Sequence, residues 1–469
     1  MTSADVRMYR LNELGDCFLV TLTSGDSTSR LLIDCGSFRN TSQSIRRIKE
    51  VVAGIATQTG PDHLDVVVGT HQHNDHLSGF VHCKAEFEQI GVEQVWLSWL
   101  DDPDDMMARD LSEAHNKLKV RLASARDQLA KSSISTRGVR GYEILNAILG
   151  FYGASAVGAD PKVPAQGIEI LKEIGTKSPL YLRPGRSLEM PGLPPGAVRV
   201  HVLGPPRIPG NELLKRTNPR VGESYDPSLI AASAAQAGKL LDAIKLRAGE
   251  VSRDEQQYPF SERAKQQAKH ASPALRTMMR SYRRHNETWR RIDDEWLNQA
   301  GALALYLDSL TNNSSLALAI ELVESGKVLL FAADAQVGNW LSWEEITWDD
   351  SKINTDDLLA RTVFYKVGHH ASHNATLVAA LEKMNRPELI AFIPVNKQDP
   401  NITKPNGWKM PASNLFRRLT EKTNNRVLQM DGDNPRDCDP SRNPAKQAWS
   451  SIDINPSITP LEIQVTING

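Results

Sequence analysis

Short apolar runs separated by turn signals dominate the first hundred residues. Val6 to Leu11, Cys17 to Leu22 and Leu31 to Asp34 predict three strands, joined by turns at Gly15-Asp16 and Ser24 to Ser29. Ser42 to Ala56 follows with a helical pattern. Leu64 to Val68 comes next, and its Val66-Val67-Val68 run, apolar at every position, predicts a strand buried on both faces. That strand runs straight into Thr70-His71-Gln72-His73-Asn74-Asp75-His76. A further helix and a strand from Gln94 to Ser98 complete a layered α/β unit.

The pattern then changes. Asp101-Asp102-Pro103 opens a charged helical segment in which Leu111, Leu118, Leu122, Ala125 and Leu129 recur at helical spacings. A continuous helix from Asp105 to Lys131 would be about 40 Å long. The uncharged run Ile144 to Ala159, interrupted by Asn146, Gly150 and Gly153, predicts a buried helix and a turn. Strand patterns resume at Leu180 to Leu182 and at Val198 to Leu203, which ends in Gly204-Pro205-Pro206. A second polar, helical interruption runs from Arg207 to about Ala300, with Leu240, Leu241, Ile244 and Ala248 spaced for one buried face. Strands return at Leu316 to Leu322, Val328 to Ala332, Val363 to Val367 and Leu389 to Ile393, and Arg426 to Met430 and Leu461 to Ile467 are expected to close the sheet. The expected organisation is one α/β core (residues 1–100, 180–206 and 301–469) broken by a helical insertion at 101–179 and a helical, locally basic one at 207–300.

Composition narrows the function. With 55 Lys and Arg against 56 Asp and Glu in 469 residues, no whole-chain basic field draws the protein to nucleic acid or an anionic membrane. No apolar stretch reaches the roughly 20 residues of a membrane span, and Met1 to Arg10 lacks the pattern of a secretory signal, so no membrane partner is expected. Cys17, Cys35, Cys83 and Cys438 are too few and scattered for a disulfide framework, which points to a reducing cytoplasm. The one local charge excess is Glu262 to Arg291, where nine cations face two acids with Tyr282 and Trp289 interleaved. Arg276, Arg280, Arg283 and Arg284 are candidate nucleic-acid contacts there. The alternative is a solvated helix face paired with acids such as Asp293, Asp294 and Glu295.

The chemistry sits after the buried strand. His71, His73, Asp75 and His76 put three imidazoles and a carboxylate within six residues, in a chain with only 12 His. Those ligand types suit zinc and, with more oxygen donors, manganese or iron. His71 and His73 can grip one metal while Asp75 and His76 grip another.

This run resembles the HxHxDH signature of the metallo-β-lactamase-fold hydrolases, and the family's other landmarks follow in order. Asp34, ending Leu31-Leu32-Ile33-Asp34, resembles the early aspartate that orients the metal loop from behind the ligands. Asp334, after Leu329-Leu330-Phe331-Ala332-Ala333, resembles the aspartate that bridges two metals. His369 and His370, in Lys366-Val367-Gly368-His369-His370-Ala371-Ser372, resemble the late histidine that completes the second metal. The Gly15-Asp16-Cys17 turn and the Asn312-Asn313-Ser314-Ser315-Leu316 strand entry are similar to the ComEC-like competence branch, which is related to DNA internalisation.

The resemblance implies a four-layer αββα sandwich, two divalent ions (zinc ahead of manganese), and a metal-activated water aided by Asp75, His369 and His370. It implies a hydrolase, foremost a phosphodiesterase or nuclease acting on DNA or RNA. Acyl substrates such as lactams, lactones or thioesters are the alternative, as is a non-catalytic binding or regulatory protein. Whichever of His369 and His370 is not a ligand would contact substrate, act as general acid, or make a structural hydrogen bond. The insertions offer surface to a protein partner.

Three positions depart from the family. Gly204 stands where a further histidine is expected, and strand alternation points His201 to the other face. The first metal is then weakly held, takes a ligand from an insertion, or is absent. Ala333 and Ala371 stand where that branch commonly has glycine.

Overall fold

Two mixed β-sheets form the body of the protein. The computed structural model describes residues 2–130, 139–154, 161–207, 212–216, 219–220, 222–225, 270–282, 284, 295–404, 407–432, 448–449, 451–452, 454 and 456–469. Leu240, Leu241, Ile244, Ala248, Arg283, Trp289 and Cys438 lie outside the described residues. The strands, in chain order, are β1 (Thr2–Tyr9), β2 (Cys17–Ser24), β3 (Ser27–Cys35), β4 (Leu64–Gly69), β5 (Val92–Ser98), β6 (Leu180–Leu182), β7 (Ser187–Glu189), β8 (Val198–Val202), β9 (Leu318–Leu322), β10 (Lys327–Phe331), β11 (Thr362–Lys366), β12 (Ile390–Ile393), β13 (Val427–Gln429), β14 (Ser457–Ile458) and β15 (Glu462–Asn468). The first sheet has the order β14-β15-β1-β2-β3-β4-β5-β6 and the second β13-β12-β11-β10-β9-β8-β7.

Side-chain alternation along the strands explains how the sheets stack. In β10, Leu329 and Phe331 join a core shared with the first sheet, whereas Val328 and Leu330 join a second core on the opposite face. In β12, Ile390 and Phe392 likewise point to the shared core, and Ala391 and Ile393 away from it. Phe18 of β2 meets Phe331 of β10 edge-on at 5.8 Å, so the sheets face each other in an α/β sandwich. Helix α1 (Ser42–Thr59) contributes Ile48, Val51, Val52 and Ile55 to the shared core from the other side of the first sheet.

The insertion helices lie on the second core. After α2 (Asn74–His82) and α3 (Lys84–Ile90), the charged segment forms α4 (Met106–Ala130), followed by α5 (Val139–Gly150) and, leading back to the first sheet, α6 (Val163–Ile174). Leu118 and Leu122 of α4, Leu145 and Leu149 of α5, and Leu303 and Leu307 of the helix Glu295–Asn313 are buried together. Trp340 and Trp343 stack at 4.0 Å inside the same core. Among the described residues no helix is long and apolar enough to cross a membrane.

The last two strands do not close one sheet together. β13 extends the second sheet beside β12, while β15 pairs with β1 in the first, because both neighbouring edges were still open. The first strand also begins earlier than its apolar run, at Thr2, since β15 and β2 flank it on both sides over its whole length.

Candidate metal centre

The site gathers at the C-terminal ends of parallel strands from both sheets, where α/β architectures place their ligands. β3 and β4 are parallel neighbours, so Asp34 and Thr70 end side by side. Asp34 takes a left-handed φ of 57° and accepts the Thr70 amide at 2.9 Å and the Thr70 hydroxyl at 2.7 Å. The loop after β4 then turns into α2. A Cβ at Gly36 would lie 2.5 Å from the His76 backbone, so only glycine lets the loop after β3 come this close to α2. Asn74 locks the approach by donating to the carbonyls of Ser37 at 2.8 Å and Phe38 at 3.0 Å.

Hydrogen bonds around the imidazoles fix which nitrogen is free. The Thr70 hydroxyl spends its proton on Asp34, so it can only accept from Nδ1 of His71, 3.1 Å away. The lone pair of His71 is therefore on Nε2, which faces Nδ1 of His73 at 3.1 Å. Nδ1 of His76 donates to Asp34 at 2.7 Å, and Nδ1 of His370 donates to the Pro394 carbonyl at 2.7 Å. Both rings thus aim Nε2 at the same carboxylates. Nε2 of His370 lies 2.9 Å from Oδ2 of Asp75 and 3.6 Å from Oδ2 of Asp334, and Nε2 of His76 lies 3.2 Å from that Asp334 oxygen.

The second sheet supplies the rest. Asp334 follows β10, and Lys366 ends β11 with its ammonium ion-paired to Asp16, 3.2 Å from Oδ1 of Asp334 and 2.7 Å from the Ala333 carbonyl. Ala333, His369, His370 and Ala371 all adopt left-handed φ values, of 48°, 43°, 50° and 59°. Asp16, His76, Asp334 and His370 are buried, and each offers one ligand atom within 4.8 Å of the others, a cluster that can hold a metal ion. Oδ2 of Asp334, Nε2 of His76 and Oδ1 of Asp75 are buried and make no hydrogen bond, a state that costs free energy in a folded protein.

Electrostatics divide the imidazoles into two pairs. Burial, with the neighbouring imidazoles, pushes His71 well below its usual value and His73 down to about 3, so both are neutral. Burial also opposes charge on His370, but Asp334, Asp75 and Asp16 outweigh it and lift that ring to about 9. His76 is likewise held well above its usual value against burial, chiefly by Asp334, Asp16 and Asp34. Burial would raise Asp334, yet His76, Lys366 and His370 hold it well below the carboxylate range.

Of the expected residues, His71, His73, Asp75, His76, Asp334 and His370 come together, and Asp34 supports them from behind. His369 does not join them. Its Nε2 faces the Asn312 amide at 3.3 Å and its Nδ1 faces the Ser372 hydroxyl at 2.6 Å, because the left-handed turn sends the two consecutive rings in different directions. Gly204 cannot carry a side chain: an added Cβ would collide with Asn339, which bonds the carbonyls of Asn313 and Ser315. His201 lies away from the centre, bonded to Ser187 at 2.8 Å and Glu321 at 2.9 Å. Arg276 and Arg280 are exposed on the helix Pro273–Tyr282, Arg284 is exposed just beyond it, and Arg283 is outside the described residues.

Sequence reasoning passed over three site residues. Asp16 and Lys366 were seen only as parts of motifs, although a lysine inside the otherwise apolar run Val363 to Val367 is a signal in itself. Asp308, on the helix Glu295–Asn313, approaches Nε2 of His73 at 3.7 Å and carried no sequence signal beyond its spacing of four from Asn312.

No protein-family model and no curated protein matches this chain.

Proposed function

We propose that the protein is a metal-dependent hydrolase of the metallo-β-lactamase fold, similar to the ComEC-like branch, that cleaves phosphodiester bonds. The observation that carries the reading is the convergence of buried ligand atoms, Nε2 of His76, Nε2 of His370, Oδ1 of Asp75 and Oδ2 of Asp334, with the Nδ1 of both rings already occupied. Two nitrogens on one zinc at about 2.0–2.1 Å stand about 3.3 Å apart, and His71 Nε2 and His73 Nδ1 are 3.1 Å apart. These two would hold one divalent ion. Asp75, His76, His370 and Oδ2 of Asp334 would hold a second.

We read Asp75 as the ligand in preference to Asp16. Asp16 reaches His76 and His370 from their Nδ1 sides, at 3.9 Å and 3.7 Å, and already carries Lys366. Lys366 in turn occupies Oδ1 of Asp334 and leaves Oδ2 free. A bound divalent pair supplies a water acidified to a pKa of about 7 and an electrophile for a phosphoryl oxygen. The chain's own part is to hold the ligand atoms together in a buried site, with His71 and His73 already neutral and one oxygen each of Asp75 and Asp334 unpaired. His76 and His370 give up their protons on binding, as metal ligands must. Burial keeps His369 near 4, so it is neutral at pH 7 and serves as a hydrogen-bonding group beside the centre rather than as a general acid.

The test is a substrate panel with metal-loaded protein: single- and double-stranded DNA, RNA and a bis-aryl phosphodiester, beside a lactam, a lactone and a thioester. Phosphodiester cleavage that chelator abolishes and Asp75→Asn lowers at least 100-fold is the expected result. Turnover of acyl substrates alone, or none at all with metal bound, contradicts it.

A further inference from the structure

Two of the centre's four imidazoles have their outer nitrogen tied to a fixed acceptor, His76 to Asp34 and His370 to Pro394, and His71 leans on Thr70. His73 is different. Its Nδ1 faces His71, its outer Nε2 makes no hydrogen bond, and the ring is almost fully buried, at 1% exposure. Facing that nitrogen at 3.7 Å is Oδ1 of Asp308, itself buried and without a hydrogen bond. The other oxygen of Asp308 accepts the Asn312 side-chain amide at 3.1 Å, one turn along the same helix, which fixes the direction of the carboxyl group.

The surroundings of His73 are built by the first insertion and the helix Glu295–Asn313. Phe151 and Tyr152, in the turn after α5, flank its ring at 5.1 Å each. Tyr152 bonds Thr311 on the helix of Asp308 at 2.6 Å, and His115 of α4 reaches the same Thr311 at 3.3 Å. The strand end at Gly204, by contrast, has no room for a side chain because Asn339 fills it. The helix Glu295–Asn313 therefore offers a carboxylate to His73, while the strand end at Gly204 offers nothing.

We infer that Asp308 is the positioning carboxylate of His73, accepting the Nε2 proton so that Nδ1 presents its lone pair to a divalent cation shared with His71. An imidazole that ligates through Nδ1 must carry its proton on Nε2, and a carboxylate there fixes both tautomer and ring orientation. The helix Glu295–Asn313, packed against the first insertion, thus completes a cation site of the core. This inference rests on the metal-centre reading above.

Cobalt(II) titration of the chelator-treated full chain, followed by visible absorption and competition with a chromophoric chelator, tests it in wild type and Asp308→Asn. Wild type binding two ions, with Asp308→Asn losing 10–100-fold in affinity for one ion and changing its absorption band while the other is untouched, is the expected result. Asp308→Asn matching wild type in both affinities and spectrum overturns the inference and leaves the two-ion reading standing. Wild type binding no ion overturns the reading beneath it. Should Asp308→Asn fail to fold, imidazole NMR of the zinc-loaded wild type decides: a His73 Nε2 proton shifted downfield and protected from exchange, as in a bond to a carboxylate, supports the assignment, and an Nε2 proton with the shift of an unbonded imidazole overturns it.

Discussion

Nε2 of His370 lies 2.9 Å from Oδ2 of Asp75, although 295 residues separate them in the chain. The contact joins the first turn of α2, which follows β4 of the first sheet, to the turn after β11 in the second. Each sheet supplies half of one centre, so the centre exists only when the two sheets are docked.

That docking brings a cation and an anion out of water together. Lys366 and Asp334 are both buried, and removing Asp334 leaves Lys366 with Asp16 alone and takes the nearest carboxylate from Nε2 of His76. Asp334→Ala should destabilise the metal-free protein by about 3–5 kcal/mol, and Asp334→Ala with Lys366→Met should recover much of that loss. Denaturant unfolding of the two single variants and the double variant measures it. Equal losses in Asp334→Ala and the double variant would show that the pair is not coupled.

Ala333 and Ala371 occupy backbone conformations with φ of 48° and 59°, where a Cβ is strained. A left-handed residue other than glycine costs about 1–2 kcal/mol, partly offset by the greater unfolded freedom of glycine. Ala333→Gly and Ala371→Gly should therefore each stabilise the fold by up to about 1 kcal/mol, read as a rise in melting temperature. A fall in both would contradict the strain.

At Gly204 the expectation is the reverse. A methyl group there would be driven into Asn339, and Asn339 is tied to Asn313, Ser315 and the Trp343 indole. Gly204→Ala should cost about 1–3 kcal/mol, the usual range for overpacking, in the same unfolding assay.

Away from the centre, Glu321 accepts from His201 at 2.9 Å and is ion-paired to Arg361 at 2.6 Å, which together lower its pKa to about 2 against the opposing effect of burial. A depressed folded-state pKa gives stability that is complete above the ordinary glutamate range, near 4.5. It is lost as the pH falls from there towards 2. Acid unfolding of Glu321→Gln should lack that part of the pH dependence, whereas a curve parallel to wild type would remove Glu321 from the account.

Much of this was legible in the sequence because it is local. The strands from Cys17 to Leu22 and Val363 to Val367, the helix after Ser42 and the His71 to His76 run each carry their own period or spacing. What was not legible depends on tertiary contact. Nothing in the chain says that Asn339 fills the place beside Gly204, that Lys366 rests between Asp16 and Asp334, or that Asp308 on a distant helix reaches His73. The choice between His369 and His370 also needed the backbone, since two successive left-handed residues decide which ring faces Asp75.

Metal content tests the central claim most directly. Elemental analysis of chelator-free, zinc-reconstituted protein should give two ions per chain in wild type and fewer in Asp334→Ala, which removes the carboxylate facing His76 and His370. Wild-type protein that takes up no zinc or manganese would contradict the account and mark the His71 to His76 run as part of a binding module.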